Sequence, residues 1–251
     1  MPRVIGVLSG KGGVGKTTLV SNLGYALTQL GHNVTLIDGN VTTPHLGMHL
    51  GMHMAPKTIH HVLKGETSLK SATYDHPLGF KVIPGSLSVN DLIGLDIGEL
   101  ANITKKVNTD FVLVDSAPAL GREAASALAA VSEVVLIANP DLPSIADALK
   151  TAKVAEASGK KVLGVVLNRM TRKRHEVGRN DVHALIQYPV IAEIPEDENV
   201  AASIASKTPL LDMDPSSPAS QEFFRLACKL TGRQMKRNLT FMEKMISWLT
   251  G

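Results

Sequence analysis

Between an apolar run, Val4–Leu8, and a helical pattern opening at Thr17 lies the segment Gly10-Lys11-Gly12-Gly13-Val14-Gly15-Lys16-Thr17. Four of its first six residues lack a side chain, so its backbone N–H groups can curl inward around an anion without Cβ clashes. The helix that follows adds the positive end of its dipole. The spacing satisfies GxxxxGK[ST], in which the lysine reaches the β- and γ-phosphates of a nucleotide and the hydroxyl meets Mg²⁺. On this reading the stretch from Gly10 to Thr17, with Thr18 beside it, cradles phosphates, Lys16 balances their charge and Thr17 is a metal ligand. A strand–loop–helix unit of this kind constrains the chain to an α/β architecture.

The rest of the sequence agrees. Short apolar runs recur at Val34–Ile37, Phe80–Ile83, Phe111–Val114, Val134–Ala138, Val162–Leu167 and Val190–Ile194. Near-continuous apolar runs are expected of strands buried on both faces. Helical patterns lie between them: Thr17–Leu30 before Gly31, Leu142–Ala157 before Gly159, and Gln221–Leu230 before Gly232. The alternation predicts a doubly wound, mostly parallel sheet with helices on both faces. The Pro- and Ser-rich stretch Asp212–Pro218 resembles a linker but is read as lying within the domain. The expected division is a phosphate-loop domain over 1–232 and an amphipathic tail over 233–251.

Composition narrows the classes. With 251 residues, 44% hydrophobic and 20% charged, the chain can bury a sizeable core and is not disordered. A single cysteine, Cys228, excludes a disulfide scaffold and a cysteine-built metal or iron–sulfur centre within one chain. The apolar runs fall far short of the ~20 residues of a spanning helix, and no signal peptide is legible. A cytoplasmic protein is expected. The net charge of +3 is unevenly placed. Lys229, Arg233, Lys236, Arg237 and Lys244 face one acid, Glu243, and a second basic cluster gathers Arg169, Arg172, Lys173, Arg174 and Arg179 around Glu176.

Lys11 is the additional lysine in the loop. GKGGVGKT resembles the deviant Walker A motif of the MinD/ParA ATPases, whose early lysine reaches the partner's nucleotide across an ATP-sandwich dimer. Further segments match in the family's order. Leu36-Ile37-Asp38-Gly39-Asn40 resembles its second acidic motif. Phe111–Val114 with Asp115-Ser116-Ala117-Pro118 resembles its Walker B strand and switch II, and Asn139-Pro140 its later NP pair. Asn168-Arg169 resembles the NR pair whose asparagine reads adenine, and Ile194-Pro195-Glu196-Asp197 the loop on the base's other side. The closest member type is MinD, particularly its archaeal forms. The resemblance implies ATP or ADP with Mg²⁺ as cofactors and ATP hydrolysis as the activity. It implies Thr17, Asp38 and Asp115 around the metal, and Asn168, Arg169, Pro195 and Glu196 around the base. It also implies a homodimer formed on ATP binding. Lys11, Lys16, Asp38 and Asn40 are the candidate catalytic set.

One position departs from the family. The second acidic motif usually reads Asp-x-Asp, and the second aspartate is thought to position the attacking water; here it is Asn40. An amide is no general base, although its carbonyl oxygen can orient water. Slow hydrolysis and a long-lived ATP state are expected, and with them an activating protein partner.

The tail has its own pattern. On a helix, Leu239, Phe241, Met242, Met245, Ile246, Trp248 and Leu249 occupy one half of the wheel, with Lys236 and Arg237 leading in. Such a helix suits an interfacial anchor on an anionic membrane surface, and MinD proteins end in one. The alternative is a helix that packs on the core or on a partner. His45, His49 and His53 are spaced to share one helical face, a weak metal-site signal; solvated or packing histidines are the simpler reading. The Arg169–Arg179 cluster reads as a solvated loop or a DNA-binding patch like that of ParA relatives. The functional expectation is a MinD-like switch that positions a cellular structure such as a division site or surface or chemosensory machinery. The alternatives are a ParA-like DNA-partitioning ATPase and a slow nucleotide-dependent scaffold.

Overall fold

The computed structural model describes residues 2–118, 121–174 and 176–233. The expected anchor helix at 239–250 lies outside the described residues. Eight strands form one sheet: β1 (Arg3–Leu8), β2 (Val34–Gly39), β3 (Tyr74–Asp75), β4 (Lys81–Ile83), β5 (Phe111–Ser116), β6 (Glu133–Ala138), β7 (Lys161–Met170) and β8 (Val190–Pro195). Their spatial order is β3-β4-β2-β5-β1-β6-β7-β8, with every pairing parallel except β3 against β4. The expected doubly wound parallel sheet is the observed one. The strand that sequence patterning missed is β3, a two-residue edge too short to carry a period.

Among the described residues ten α-helices accompany the strands, seven between them, α1 (Lys16–Gln29), α2 (Leu46–His49), α3 (Ile59–Leu63), α4 (Leu100–Lys106), α5 (Arg122–Ala130), α6 (Leu142–Ala157) and α7 (Arg179–Ile186), and three after β8, α8 (Asn199–Ala205), α9 (Leu210–Met213) and α10 (Pro218–Thr231). Alternate residues of the central strands feed two cores. Ile5, Val7, Leu113, Val135 and Ile137 pack on one face with Leu19, Leu23 and Leu27 of α1 and Phe223 of α10. Val4, Leu8, Val112, Val114 and Leu136 pack on the other with residues of α4, α5 and α6. Each fully buried large apolar side chain contributes roughly 1.5–3 kcal/mol, so both faces of the sheet hold the fold.

The helix ends follow local chemistry. Gly31, at φ 84°, ends α1, where its N–H and that of His32 return to the carbonyls of Thr28 and Leu27. The Asp141 side chain accepts the Ser144 N–H at 2.9 Å to open α6. Ser217 does the same for Ser220 at 3.0 Å, so α10 begins at Pro218, earlier than the apolar pattern suggested. The linker-like Asp212–Pro218 is absorbed between α9 and this cap. The three histidines do not share a helix: α2 ends at His49, and Gly51 turns the chain away at φ 70°.

Because β1 lies between β5 and β6, the connections from β1 and β5 leave toward different faces. The crevice at the carboxyl ends of these strands is where open α/β sheets bind ligands. The glycine loop sits there. The β2–β5 register sets Asp38 directly beside Asp115.

Candidate functional site

The loop after β1 wraps into α1 through Gly15, whose φ of 100° lies in the left-handed region. A Cβ at Gly15 would also stand 2.4 Å from Asn168 Nδ2, so a side chain there would strain the backbone and displace the Asn168 amide. Lys16 is only 7% exposed. Its Nζ donates to Ser9 Oγ at 2.8 Å, and Ser9 in turn donates to the Lys11 carbonyl at 2.7 Å. Burial lowers the lysine's pKa, and the Asp115 charge partly offsets this. Lys11 itself is exposed.

Thr17 Oγ1 donates to Asp115 Oδ2 at 2.6 Å. The other oxygen, Asp115 Oδ1, is buried with no hydrogen-bond partner. Asp38 is fully buried as well; its Oδ1 accepts the Asn40 N–H at 3.3 Å and its Oδ2 the Leu46 N–H at 3.0 Å. Burial pushes the Asp115 carboxyl up to about 6, against the Thr17 hydroxyl and the Lys16 ammonium. Burial and then the Asp115 charge push Asp38 well above the usual carboxylate range, against the backbone groups of Leu46, Asn40 and Gly85. Two adjacent buried carboxylates, one with an orphaned oxygen beside a threonine hydroxyl, form the hard-oxygen donor set that Mg²⁺ takes. These residues fit that ion.

An open cleft of about 390 Å³ runs over Gly12, Gly13, Lys16 and Thr17 to Asn40 and Pro118. His45 and His49 also line it, and burial together with the His45 charge lowers His49 to about 4. Among the described residues no group of three His, Cys, Asp or Glu could hold a metal ion. The Asn40 amide is tied at both ends: Nδ2 donates to the Thr43 carbonyl at 2.6 Å, and Oδ1 accepts from the Thr43 hydroxyl at 3.1 Å.

A second cleft, of about 210 Å³, opens from Gly15 and Thr18 to Asn168, Arg169, Pro195 and Glu196. Asn168 Nδ2 donates to the Val14 carbonyl at 2.8 Å, leaving the amide oxygen and one N–H uncommitted to that bond. Arg169 adopts φ 59° at a break in the β7–β8 register and lies 3.9 Å from Glu196. The two clefts share Gly15, Thr18, Arg169 and Ile204, so the glycine loop and segment 194–197 line one continuous opening. Arg172, Lys173 and Arg174 are exposed on the turn beyond it.

Sequence reasoning missed three participants. Ser9 supports Lys16. Glu123, in the first turn of α5, accepts from the Thr42 hydroxyl and so joins the loop after β2 to the helix after β5. His60 reaches the carbonyl of Val41. Ser9 precedes the glycines directly and was legible in principle; the other two carry no motif.

The CobQ/CobB/MinD/ParA nucleotide-binding domain model matches residues 5–211. A protein of Methanocaldococcus jannaschii described as an uncharacterized ATP-binding protein is 38% identical over 231 residues, covering 91% of this chain and 88% of its own. The septum site-determining protein MinD of Pyrococcus horikoshii, solved with Mg-ADP, superposes with a TM-score of 0.88 at 30% identity, covering 97% of this chain and 99% of that one. The MinC:MinD cell division complex of Aquifex aeolicus gives 0.84 at 28%, covering 93% and 97%. Among the described residues no helix is long and apolar enough to cross a membrane. A glycine cradle, a buried lysine and paired carboxylates on a parallel sheet, matched along nearly the whole chain, place this protein in the CobQ/CobB/MinD/ParA nucleotide-binding family, among its MinD-like members.

Proposed function

We propose that the chain is a MinD-like switch that binds ATP with Mg²⁺, hydrolyses it, dimerises around it and holds a membrane surface in order to position a cellular structure. The observation that carries the nucleotide part is the convergence of Lys16, Thr17, Asp38 and Asp115 on one buried point with an unpartnered carboxylate oxygen. The loop from Gly10 to Thr18 holds the phosphates. Lys16 balances charge at the terminal ones. Thr17, Asp38 and Asp115 hold Mg²⁺, which when bound neutralises charge developing on the transferred phosphoryl group. Asn168, Arg169, Pro195 and Glu196 enclose the base. Lys11, exposed on the loop, reaches the second subunit's nucleotide. Asn40, its amide engaged at both ends by Thr43, offers the attacking water no general base and gives slow turnover. An activating protein partner follows from that slowness, and the MinC:MinD complex of a relative supports a protein partner.

The membrane part rests on the tail. Each basic residue near an anionic leaflet contributes about 1 kcal/mol, so one helix at 239–250 binds weakly and reversibly. Two helices in one dimer gain effective concentration, which raises avidity about a hundredfold or more. ATP then controls location through dimerisation. Co-sedimentation with anionic liposomes, in ATP and in ADP, tests this on the full chain and on one ending at Asn238. ATP-dependent pelleting that the truncation removes is the expected result; no pelleting in either state refutes the anchor. The DNA-partitioning alternative is favoured only by the exposed Arg172, Lys173 and Arg174. Retention on duplex DNA that salt abolishes and truncation leaves intact would select it.

A further inference from the structure

Helix α3 carries a buried titratable side chain that lines neither cleft. His60 has no solvent exposure. Its Nδ1 is 3.0 Å from the backbone N–H of Ser86, and its Nε2 is 2.8 Å from the carbonyl oxygen of Val41. The partners dictate the tautomer: the amide can only donate and the carbonyl can only accept, so Nδ1 is the acceptor and Nε2 carries the proton. An imidazolium would set two N–H groups against each other at Ser86. Burial holds the ring below the ordinary histidine range; the Val41 carbonyl and Asp91 oppose this, and His61 and Lys64 reinforce it.

The two segments joined by the ring both touch Asp38. Val41 directly follows Asn40, whose N–H donates to Asp38 Oδ1, and the same loop supplies the Leu46 N–H to Oδ2. Ser86 directly follows Gly85, which packs against that carboxylate. A Cβ at Gly85 would stand 3.4 Å from Asp38 Cγ and 2.3 Å from Pro44 Cβ. On the other side of Gly85, the Ile59 N–H donates to the Pro84 carbonyl at 2.9 Å. Helix α3 therefore grips the chain before and after Gly85, and through Nε2 it also grips the loop that begins at Asn40. Asp91 steadies the far side by accepting from the Ser86 hydroxyl.

We propose that His60 is a positioning residue of the nucleotide site, whose neutral ring locks segments 40–46 and 84–86 together around Asp38. The inference rests on the ATPase reading. His60 acts through Val41 and Ser86 and touches no phosphate. Two hydrogen bonds with opposite demands make the ring irreplaceable by a simple apolar side chain of like size.

Three full-length variants separate the two bonds. His60→Asn keeps an acceptor near Nδ1, His60→Gln keeps a donor near Nε2, and His60→Phe keeps neither. Long-range ¹H–¹⁵N NMR of the wild type reads the tautomer, and fluorescence of mant-ADP titrated with Mg²⁺ reads the site. The expected wild-type ring is the neutral Nε2–H form near pH 7. His60→Phe should need about tenfold more Mg²⁺ for half-maximal signal, the scale for residues that orient metal-holding groups, with metal-free mant-ADP binding unchanged. The amide variants should fall between. General loosening of the fold would instead weaken both kinds of binding.

Four results overturn the proposal: an Nδ1–H ring, an imidazolium near pH 7, a His60→Phe protein with the wild-type Mg²⁺ requirement, or equal loss with and without Mg²⁺. If His60→Phe does not fold, the wild-type tautomer and the Asn and Gln variants decide by the same criteria. Wild-type protein without Mg²⁺-dependent binding refutes the ATPase reading and this inference together. Wild-type binding that His60→Phe reproduces removes His60 alone.

Discussion

Asp115→Asn should make the metal-free protein more stable, although it removes a residue of the metal site. Asp115 is fully buried, and burial raises its carboxyl from 3.8 to about 6. The folded chain therefore keeps a proton that the unfolded chain has released. Stability from this group is complete below about pH 4 and is lost as pH rises through about 6. At about 1.4 kcal/mol per pH unit, the loss amounts to roughly 3 kcal/mol near neutral pH. An asparagine has no charge to bury, and its oxygen can still accept from the Thr17 hydroxyl, which now donates at 2.6 Å. It also relieves Asp38, whose carboxyl is raised partly by the Asp115 charge. Lys16 loses a favourable neighbour, which reduces the gain. A domain of this size shifts its melting temperature by about 2–4 °C per kcal/mol, so a rise of up to roughly 10 °C is expected in EDTA near pH 7. Near pH 4 the difference should vanish. Mg²⁺ with ADP should raise the wild-type melting temperature by more than the variant's, because the variant keeps the phosphate cradle and loses a metal-holding oxygen. Calorimetric melts at the two pH values check this. A variant that melts at or below the wild type near pH 7 without metal would refute the reasoning, because the buried carboxylate would then not be an electrostatic cost.

Gly15→Ala should cost about 1–2 kcal/mol for its left-handed backbone and drive its methyl into Asn168, weakening nucleotide binding by a hundredfold or more in a mant-ATP titration; near-normal affinity would mean that Asn168 does not help to frame the base. Asn40→Asp sets a carboxylate against the Thr43 carbonyl where the amide now donates at 2.6 Å. The loop should open and single-turnover hydrolysis should rise several-fold, and an unchanged rate would show that Asn40 does not limit turnover. Glu123→Ala removes the Thr42 contact that spans the two loops. It should weaken Mg²⁺-nucleotide binding severalfold with little change in melting temperature, since an exposed polar contact contributes about 1 kcal/mol or less; wild-type affinity would separate that contact from the site.

The phosphate loop was legible because its chemistry is contiguous. The glycines, Lys16 and Thr17 occupy one short stretch, and the backbone conformation they allow is set by the residues themselves. Asp38 and Asp115 were legible as the polar ends of apolar runs. That they stand side by side is a matter of β2–β5 register, across 77 positions of sequence. Asn168 was named for the base, but its bond to the Val14 carbonyl was not foreseen, because nothing near it in the chain points to residue 14. The edge strand β3 escaped since two residues cannot display alternation. The weak metal signal of the histidine triplet goes no further than α2, because a period drawn on paper continues where a short helix does not.

The sequence alone determined which local conformations the backbone could take and which residue types would be buried: the glycine loop, the strand–helix alternation, the capping serines and aspartates and the apolar faces. Those follow from sterics and from the hydrophobic effect acting over a few residues at a time. Only the tertiary structure decided what meets what. His60 at Val41 and Ser86, Glu123 at Thr42 and the orphaned oxygen of Asp115 arise where distant segments close on one another. Their energies depend on angstrom-scale distances, on burial and on the donor or acceptor opposite, and none of these is a property of the neighbouring sequence.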